Sequence, residues 1–267
     1  MKRIIIYYLA ISLVSFYGCD EGKVNFFSLD QDIQFGQQLD SAILADPVNY
    51  PILNKDNYPD AYAHLERIRD EILASDDLRY PTKFDWEVKI IDQDILNAFA
   101  APGGYMYFYS GLIKFLDNEA QFAGVMAHEM AHVDRRHSTQ ILTKQYGFSI
   151  LLQIILGENP SILAEILGQL AGGATFLYFS RDNEYEADEF AVKYLYDTPA
   201  DYHPRELAGF FEKMHAESSP PEFLSTHPSP ENRIEAIEAV WMSLGGKVGE
   251  TYPERYQQFK NSLPSSK

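Results

Sequence analysis

One cysteine, Cys19, stands among 267 residues, so no disulfide can join two parts of the chain. Bases are also scarce. Lys and Arg number 22 against 39 Asp and Glu, a formal net charge of −17. A surface of that sign repels phosphate backbones and anionic lipid headgroups, which excludes nucleic acid as a partner and docking to a membrane by charge. The C-terminal two thirds hold no uninterrupted apolar run long enough to cross a bilayer. The most hydrophobic stretch, from Gly147 to Tyr178, is split by Gly157-Glu158-Asn159-Pro160 and carries Glu165 in its second half, so it reads as buried helices or a helical lid over a cleft. No internal repeat and no linker composition appears.

The N-terminus follows a different logic. Lys2 and Arg3 precede an apolar stretch from Ile4 to Tyr17 that is too short to span comfortably, and Gly18 stands before Cys19. This pattern predicts an export signal over residues 1–18 ending at a lipid-acceptor cysteine. A lone structural cysteine is the alternative, but exported compartments disfavour idle thiols. Removal of the signal deletes two bases and no acids, so 39 acids face 20 bases, a net of −19. The expectation is a bacterial envelope protein held by an N-terminal lipid on the periplasmic side of the outer or inner membrane. Residues 19–245 are long enough for one domain with a sizeable core, and residues 246–267 read as a short polar tail.

The chemistry is concentrated in His128-Glu129-Met130-Ala131-His132. Two histidines four residues apart on a helix lie about 40° apart around its axis, so both rings can reach one metal ion, and Glu129 lies about 100° to one side. A helix is expected from Glu119 to His137, capped by Asn118 and closed by Arg135, Arg136 and His137 near its negative end. A hydrolytic zinc site needs a third protein ligand and an open position for water. Read as a helix, residues Ser180 to Leu195 place Glu184 and Asp188 on one stripe with Ala191 and Leu195, whereas Asp182, Glu186, Glu189 and Lys193 fall on the opposite, solvated stripe. Buried carboxylates need a partner. Zinc is one, with Glu184 as ligand and Asp188 accepting the spare N–H of a ligand histidine; a salt bridge to Arg135 or Arg136 is the other.

Around these motifs the periodicity predicts helices from Ser28 to Ala45 and from Ala61 to Ala74, a strand from Phe84 to Ile91, and a second strand after the Pro102-Gly103-Gly104 turn. The fold class is α+β: mostly helical, with a small antiparallel sheet. The second strand, Tyr105, Met106, Tyr107, Phe108 and Tyr109, is expected at a sheet edge beside the metal-binding helix, where it can hold an extended peptide by strand addition or stand as an ordinary shielded edge.

Together, the His-Glu-x-x-His run, the segment Ser180 to Asp188, the segment Asn97 to Leu112, and Ser225-Thr226-His227-Pro228 with Arg233 resemble the HtpX and CAAX prenyl protease family of gluzincin metallopeptidases, and within it the soluble periplasmic, lipoprotein-type members. The resemblance covers most of the chain from about Ser28 to Val240. It implies a zincin-type domain with one Zn2+ held by His128, His132 and Glu184, Glu129 as general base, and Asp188 behind the ligands. It also implies that His227 is a transition-state donor or a removable fourth ligand; by its Pro-rich surroundings alone it would be a surface loop residue. Arg233 is either a helix-surface cation or a neutraliser of acids near the metal. The implied activity is hydrolysis of peptide bonds in unfolded or misassembled envelope proteins. The alternative is a chaperone-like peptide-binding protein in which His227 closes the metal site. A membrane-embedded prenyl protease fails on the short, interrupted apolar segments.

Overall fold

The structure, a computed structural model, describes residues 18–20, 23–170, 179–217, 222–227 and 232–265. The expected signal segment lies outside the described residues up to residue 17; Gly18 and Cys19 fall in the short strand β1 (Gly18–Asp20), which pairs antiparallel with β2 (Lys23–Asn25). Helix α1 (Leu29–Leu44) starts at Ser28, whose hydroxyl accepts from Gln31 N while Gln31 Oε1 accepts from Ser28 N. That reciprocal cap satisfies two donors that a helix start leaves open. Helix α2 (Pro59–Leu73) begins on a proline whose missing N–H costs nothing at that position.

Three strands follow: β3 (Val88–Ile91), β4 (Ala98–Ala101) and β5 (Tyr105–Tyr109). The order in the sheet is β3-β5-β4, parallel between β3 and β5 and antiparallel between β4 and β5. Two expectations are corrected here. The sheet is mixed rather than antiparallel, and Tyr105–Tyr109 is its central strand. The tight Pro102–Gly104 turn folds β4 back on one side of β5 in register Ala98↔Phe108, and β3 fills the other side, so neither edge of β5 is open to a peptide. Gly104 holds φ at 104°, and a side chain there would strike Trp86 N at 2.5 Å. Trp86 itself lies at φ 48°, outside the pleat, which is why β3 starts at Val88 and not at Phe84.

The sheet divides two cores. On β5, Met106 and Phe108 face one, and Tyr105, Tyr107 and Tyr109 face the other, the alternation that a strand covered on both sides requires. The second core is covered by α1 and by the apolar hairpin α6–α7 described below. The first core holds the helix that carries the candidate ligands.

After the short α3 (Ser110–Phe115), helix α4 (Glu119–Asp134) runs through the centre with all its residues buried. Asn118 Oδ1 accepts from Gln121 N and caps it as expected. Glu119, buried at the positive end, is gripped by Arg67 and Arg255 and by the hydroxyl of Tyr202. The helix ends earlier than its sequence suggests. Arg136 turns left-handed at φ 60° because its buried guanidinium is drawn away to Asp32 Oδ2 (2.6 Å) and the carbonyl of Phe27, and α5 (His137–Gln145) starts afresh.

Helices α6 (Phe148–Ile155) and α7 (Pro160–Leu170) meet at 87°, and among the described residues no single helix is long and apolar enough to cross a membrane. Leu151, Ile154, Ile166 and Leu167 are buried in the second core; residues 171–178 lie outside the described residues. Helix α8 (Arg181–Asp197) has a Ser180–Asn183 capping box and packs along α4. Asp134, buried at the end of α4, accepts from Tyr194 Oη of α8 at 2.8 Å and from the backbone N–H groups of Arg79 and Tyr80. Helices α9 (Glu206–His215), α10 (Phe223–Thr226), α11 (Arg233–Ser243) and α12 (Pro253–Asn261) complete the first core. Residues 253–261, expected in a polar tail, instead bury Tyr256 and Phe259 in that core.

Candidate metal centre

The two histidines of α4 do what their spacing demands. Their Nε2 atoms lie 3.0 Å apart, and both rings are buried. Helix α8 brings Glu184 to them: Oε1 is 3.4 Å from His132 Nε2 and Oε2 is 3.5 Å from His128 Nε2. His227, at the end of α10, completes the group, with Nδ1 3.3 Å from His128 Nε2 and 3.2 Å from Glu184 Oε1. One donor atom from each of His128, His132, Glu184 and His227 lies within 4.8 Å of the others. His227 is 1% exposed, stacked between Phe223 and Phe179, so it is no surface residue.

Glu129 sits beside this group, as its position one residue along the helix requires. It is 1% exposed, and its Oε1 is 3.3 Å from His227 Nε2 without forming a hydrogen bond. Burial pushes its carboxyl up from the ordinary range, against the pull of His227 and His128. A raised carboxylate beside the group of donors is suited to accept and return a proton.

The acidic stripe of α8 finds a partner, but not Arg135 or Arg136. Arg233 of α11, 1% exposed, donates from Nε to Asp188 Oδ2 (2.6 Å) and from Nη2 to Asp188 Oδ1 (2.9 Å), and its Nη2 is 2.9 Å from Glu184 Oε2. The guanidinium also covers the ring of Phe211 at 4.0 Å. Asp188 Oδ1 in turn lies 2.9 Å from His128 Nδ1, which fixes that ring so that Nε2 faces the other donors. Burial alone would raise Glu184, yet Arg233 and His227 hold it well below the usual carboxylate range. For His128 burial is likewise outweighed: Asp188 and Glu184 raise it to about 9. His132 is depressed by burial.

Three residues that sequence reasoning set aside belong to this centre. Glu186 is not on a solvated face: it pairs with Lys23 of β2 and lies 3.3 Å from His137 Nε2. His137, expected as a cation at a helix end, is fully buried with Nδ1 2.9 Å from His132 Nδ1. Phe179 lies against His132, ring centroids 3.9 Å apart. No local pattern announces these contacts, because the turn at Arg136 and the pairing of β2 with α5 create them.

The donor set fits a divalent ion. Glu129, Glu184 and Asp188 bring three carboxyl groups, each 2% exposed or less, around the two helix histidines, with Arg233 as the one guanidinium among them, and such a buried cluster of acids calls for a cation. Glu184 Oε2 and Glu129 Oε1 make no hydrogen bond. Two imidazoles and a carboxylate are a set that zinc accepts in hydrolytic sites.

The sequence profile of peptidase family M48 matches residues 59–240, which include every residue of this centre except Lys23. The chain belongs to peptidase family M48. Zinc is the metal of M48 metallopeptidases, and the His-His-Glu-His group above is where this member has donors for it. Among similar proteins, the beta-barrel assembly-enhancing protease of Escherichia coli is 34% identical over 158 residues, 54% of this chain and 32% of that protein. The putative beta-barrel assembly-enhancing protease of Vibrio cholerae is 32% identical over 224 residues, 78% of this chain and 43% of that protein. The mitochondrial metalloendopeptidase OMA1 of Arabidopsis thaliana is 32% identical over 154 residues, 57% of this chain and 31% of that protein. The aligned part of this M48 chain thus spans between 31% and 43% of the length of these relatives.

Proposed function

We propose that this chain is a zinc-dependent endopeptidase that cuts unfolded or misassembled proteins of the bacterial envelope. The observation that carries the reading is the convergence of His128, His132 and Glu184, from two separate helices, on one point beside Glu129. The names of the bacterial relatives, proteases that enhance beta-barrel assembly, support the envelope setting. Anchoring by a lipid on Cys19, on the periplasmic side, is part of the same proposal and rests on the sequence pattern before that residue.

His128, His132 and Glu184 would hold the ion, and His227 would be either a fourth, removable ligand or a donor to the developing oxyanion. When bound, zinc acidifies a water molecule and polarises the scissile carbonyl. Glu129 takes the proton from the attacking water at its carboxylate and delivers it to the departing amine nitrogen. Asp188 keeps the hydrogen of His128 on Nδ1, and Arg233 clamps Asp188 and keeps Glu184 ionised. The peptide-holding edge moves from the central β5 to β4, the edge strand next to α4, where among the described residues no backbone hydrogen bond is made on the outer side. Backbone pairing reads no side chains, which suits substrates defined by being unfolded.

One observation favours the second reading, a peptide-binding protein with a closed metal site: His227 is buried against Glu129 and the other donors. A four-ligand zinc site is inert. The test is casein hydrolysis by the zinc-loaded protein, its Glu129→Gln variant and its His227→Ala variant. Glu129→Gln is expected to keep its zinc and lose turnover by about 100-fold or more, the usual worth of a positioned acid–base group; undiminished turnover removes the mechanism. Activity that appears only in His227→Ala identifies a latent enzyme, and inactivity of both parent and His227→Ala supports the binding protein.

A further inference from the structure

The two ligand histidines of α4 are supported differently. His128 leans directly on the carboxylate of Asp188. His132 leans on another imidazole: its Nδ1 lies 2.9 Å from Nδ1 of His137. A neutral imidazole has one nitrogen that donates and one that accepts. If His132 presents the lone pair of Nε2 to the other donors, its hydrogen sits on Nδ1 and is donated to Nδ1 of His137. The hydrogen of His137 is then on Nε2, which points at Glu186 Oε2, 3.3 Å away. Glu186 is in turn held by the ammonium of Lys23. Each donor in this series meets an acceptor, and reversing any one link leaves two hydrogens or two lone pairs facing each other.

The far end of the series is built into the N-terminal segment. Beside Lys23, Asn25 Nδ2 donates to Thr139 Oγ1 (2.9 Å), Phe26 N donates to Thr143 Oγ1 (3.0 Å), and the carbonyl of Phe27 accepts from Arg136. All of these partners lie on α5 or on the turn that starts it, so β2 and the residues after it dock on the helix that carries His137. We propose that His137, Glu186 and Lys23 form a positioning relay that fixes the tautomer and orientation of His132, and that the docked N-terminal strand thereby contributes to metal affinity. The relay rests on the metallopeptidase reading above. His137 is a positioning residue, since the ligand His132 stands between it and the ion.

The test measures the zinc dissociation constant of the purified full chain by competition with a chromophoric chelator, for the parent and for His137→Phe, His137→Asn, Glu186→Gln and Lys23→Met. Loss of a group that orients a ligand histidine weakens binding by about 10–100-fold, which is the expectation for His137→Phe. His137→Asn, whose side-chain oxygen accepts from the same N–H, is expected to recover most of that loss, and Glu186→Gln and Lys23→Met to show smaller losses. Nitrogen NMR of the zinc-loaded parent is expected to place the His132 hydrogen on Nδ1. A folded His137→Phe that binds zinc as tightly as the parent overturns the relay; if that variant does not fold, unchanged affinity in both Glu186→Gln and Lys23→Met does so. A parent that binds no zinc overturns the metallopeptidase reading and the relay together, whereas a parent that binds with unchanged variants overturns the relay alone.

Discussion

Replacing Arg233 by methionine tests whether the buried charges of the centre are held in balance by one side chain. Met keeps much of the apolar stem over Phe211 but deletes the guanidinium. Asp188 then loses hydrogen bonds of 2.6 and 2.9 Å, and Glu184 loses a cation at 2.9 Å, with both carboxylates 2% exposed or less. Removing one partner of a buried ion pair costs about 3–5 kcal/mol, because the other charge is left uncompensated. In a domain of this size each kcal/mol lowers the melting temperature by about 2–4 °C, so a fall of roughly 6–20 °C is expected by calorimetry on the metal-free protein. Zinc saturation should shrink the deficit, since the ion compensates Glu184 but leaves Asp188 without its clamp. Arg233→Met melting with the parent would refute the reasoning, because the guanidinium would then be a bystander to the acids it touches.

The remaining expectations concern the ligands, the packing and the pH response. His132→Ala should lose both zinc, measured by metal analysis, and hydrolysis; unchanged stoichiometry would remove His132 from the ligand set. Gly36→Ala would drive a Cβ to 1.9 Å from the carbonyl oxygen of Pro102, a backbone atom that cannot yield, so α1 must lift from the turn between β4 and β5. Overpacking of this kind costs about 1–3 kcal/mol, and a parent-like denaturation midpoint would show that α1 does not pack there. Burial alone would raise Glu119, but Arg67 and Arg255 outweigh it and leave its carboxyl below the ordinary value of 4.5. A depressed carboxyl stabilises the fold fully above the unfolded value, and that contribution disappears as pH falls through the folded value. Glu119→Gln should therefore be less stable at neutral pH and flatter in stability below pH 4.5; parallel curves for variant and parent would contradict the assignment.

The parts of this centre that were legible in the sequence are those that a single helix encodes. The four-residue spacing of His128 and His132 fixes their common face, and the burial argument on α8 separates Glu184 and Asp188 from the outward acids Asp182 and Glu189. Glu186 falls on the opposite stripe, and helical periodicity cannot register that β2 brings Lys23 to it. Arg136 is a similar case: its left-handed turn is set by Asp32 and Phe27, more than a hundred positions away, and without it His137 would continue α4 instead of folding back on His132. Strand order was hidden for the same reason. The alternation on β5 marks a strand with two covered faces but says nothing of which neighbours take its edges, and Ala98–Ala101, short and rich in alanine, gives little periodic signal. The destination of Arg233 depends on α11 lying across α8, a packing choice rather than a pattern.

The bond from Tyr194 to Asp134 works as a strut between the two helices that deliver donors. It lies two residues past His132 and ten past Glu184, and its carboxylate is also tied to the backbone at Arg79 and Tyr80. The aperture between the imidazoles and the carboxylate is thereby set by the scaffold and not by the ion that fills it. A change in donor spacing is therefore met by rotation of side chains rather than by spreading of the helices, which a phenol about three turns along α8 from the chemistry ties together.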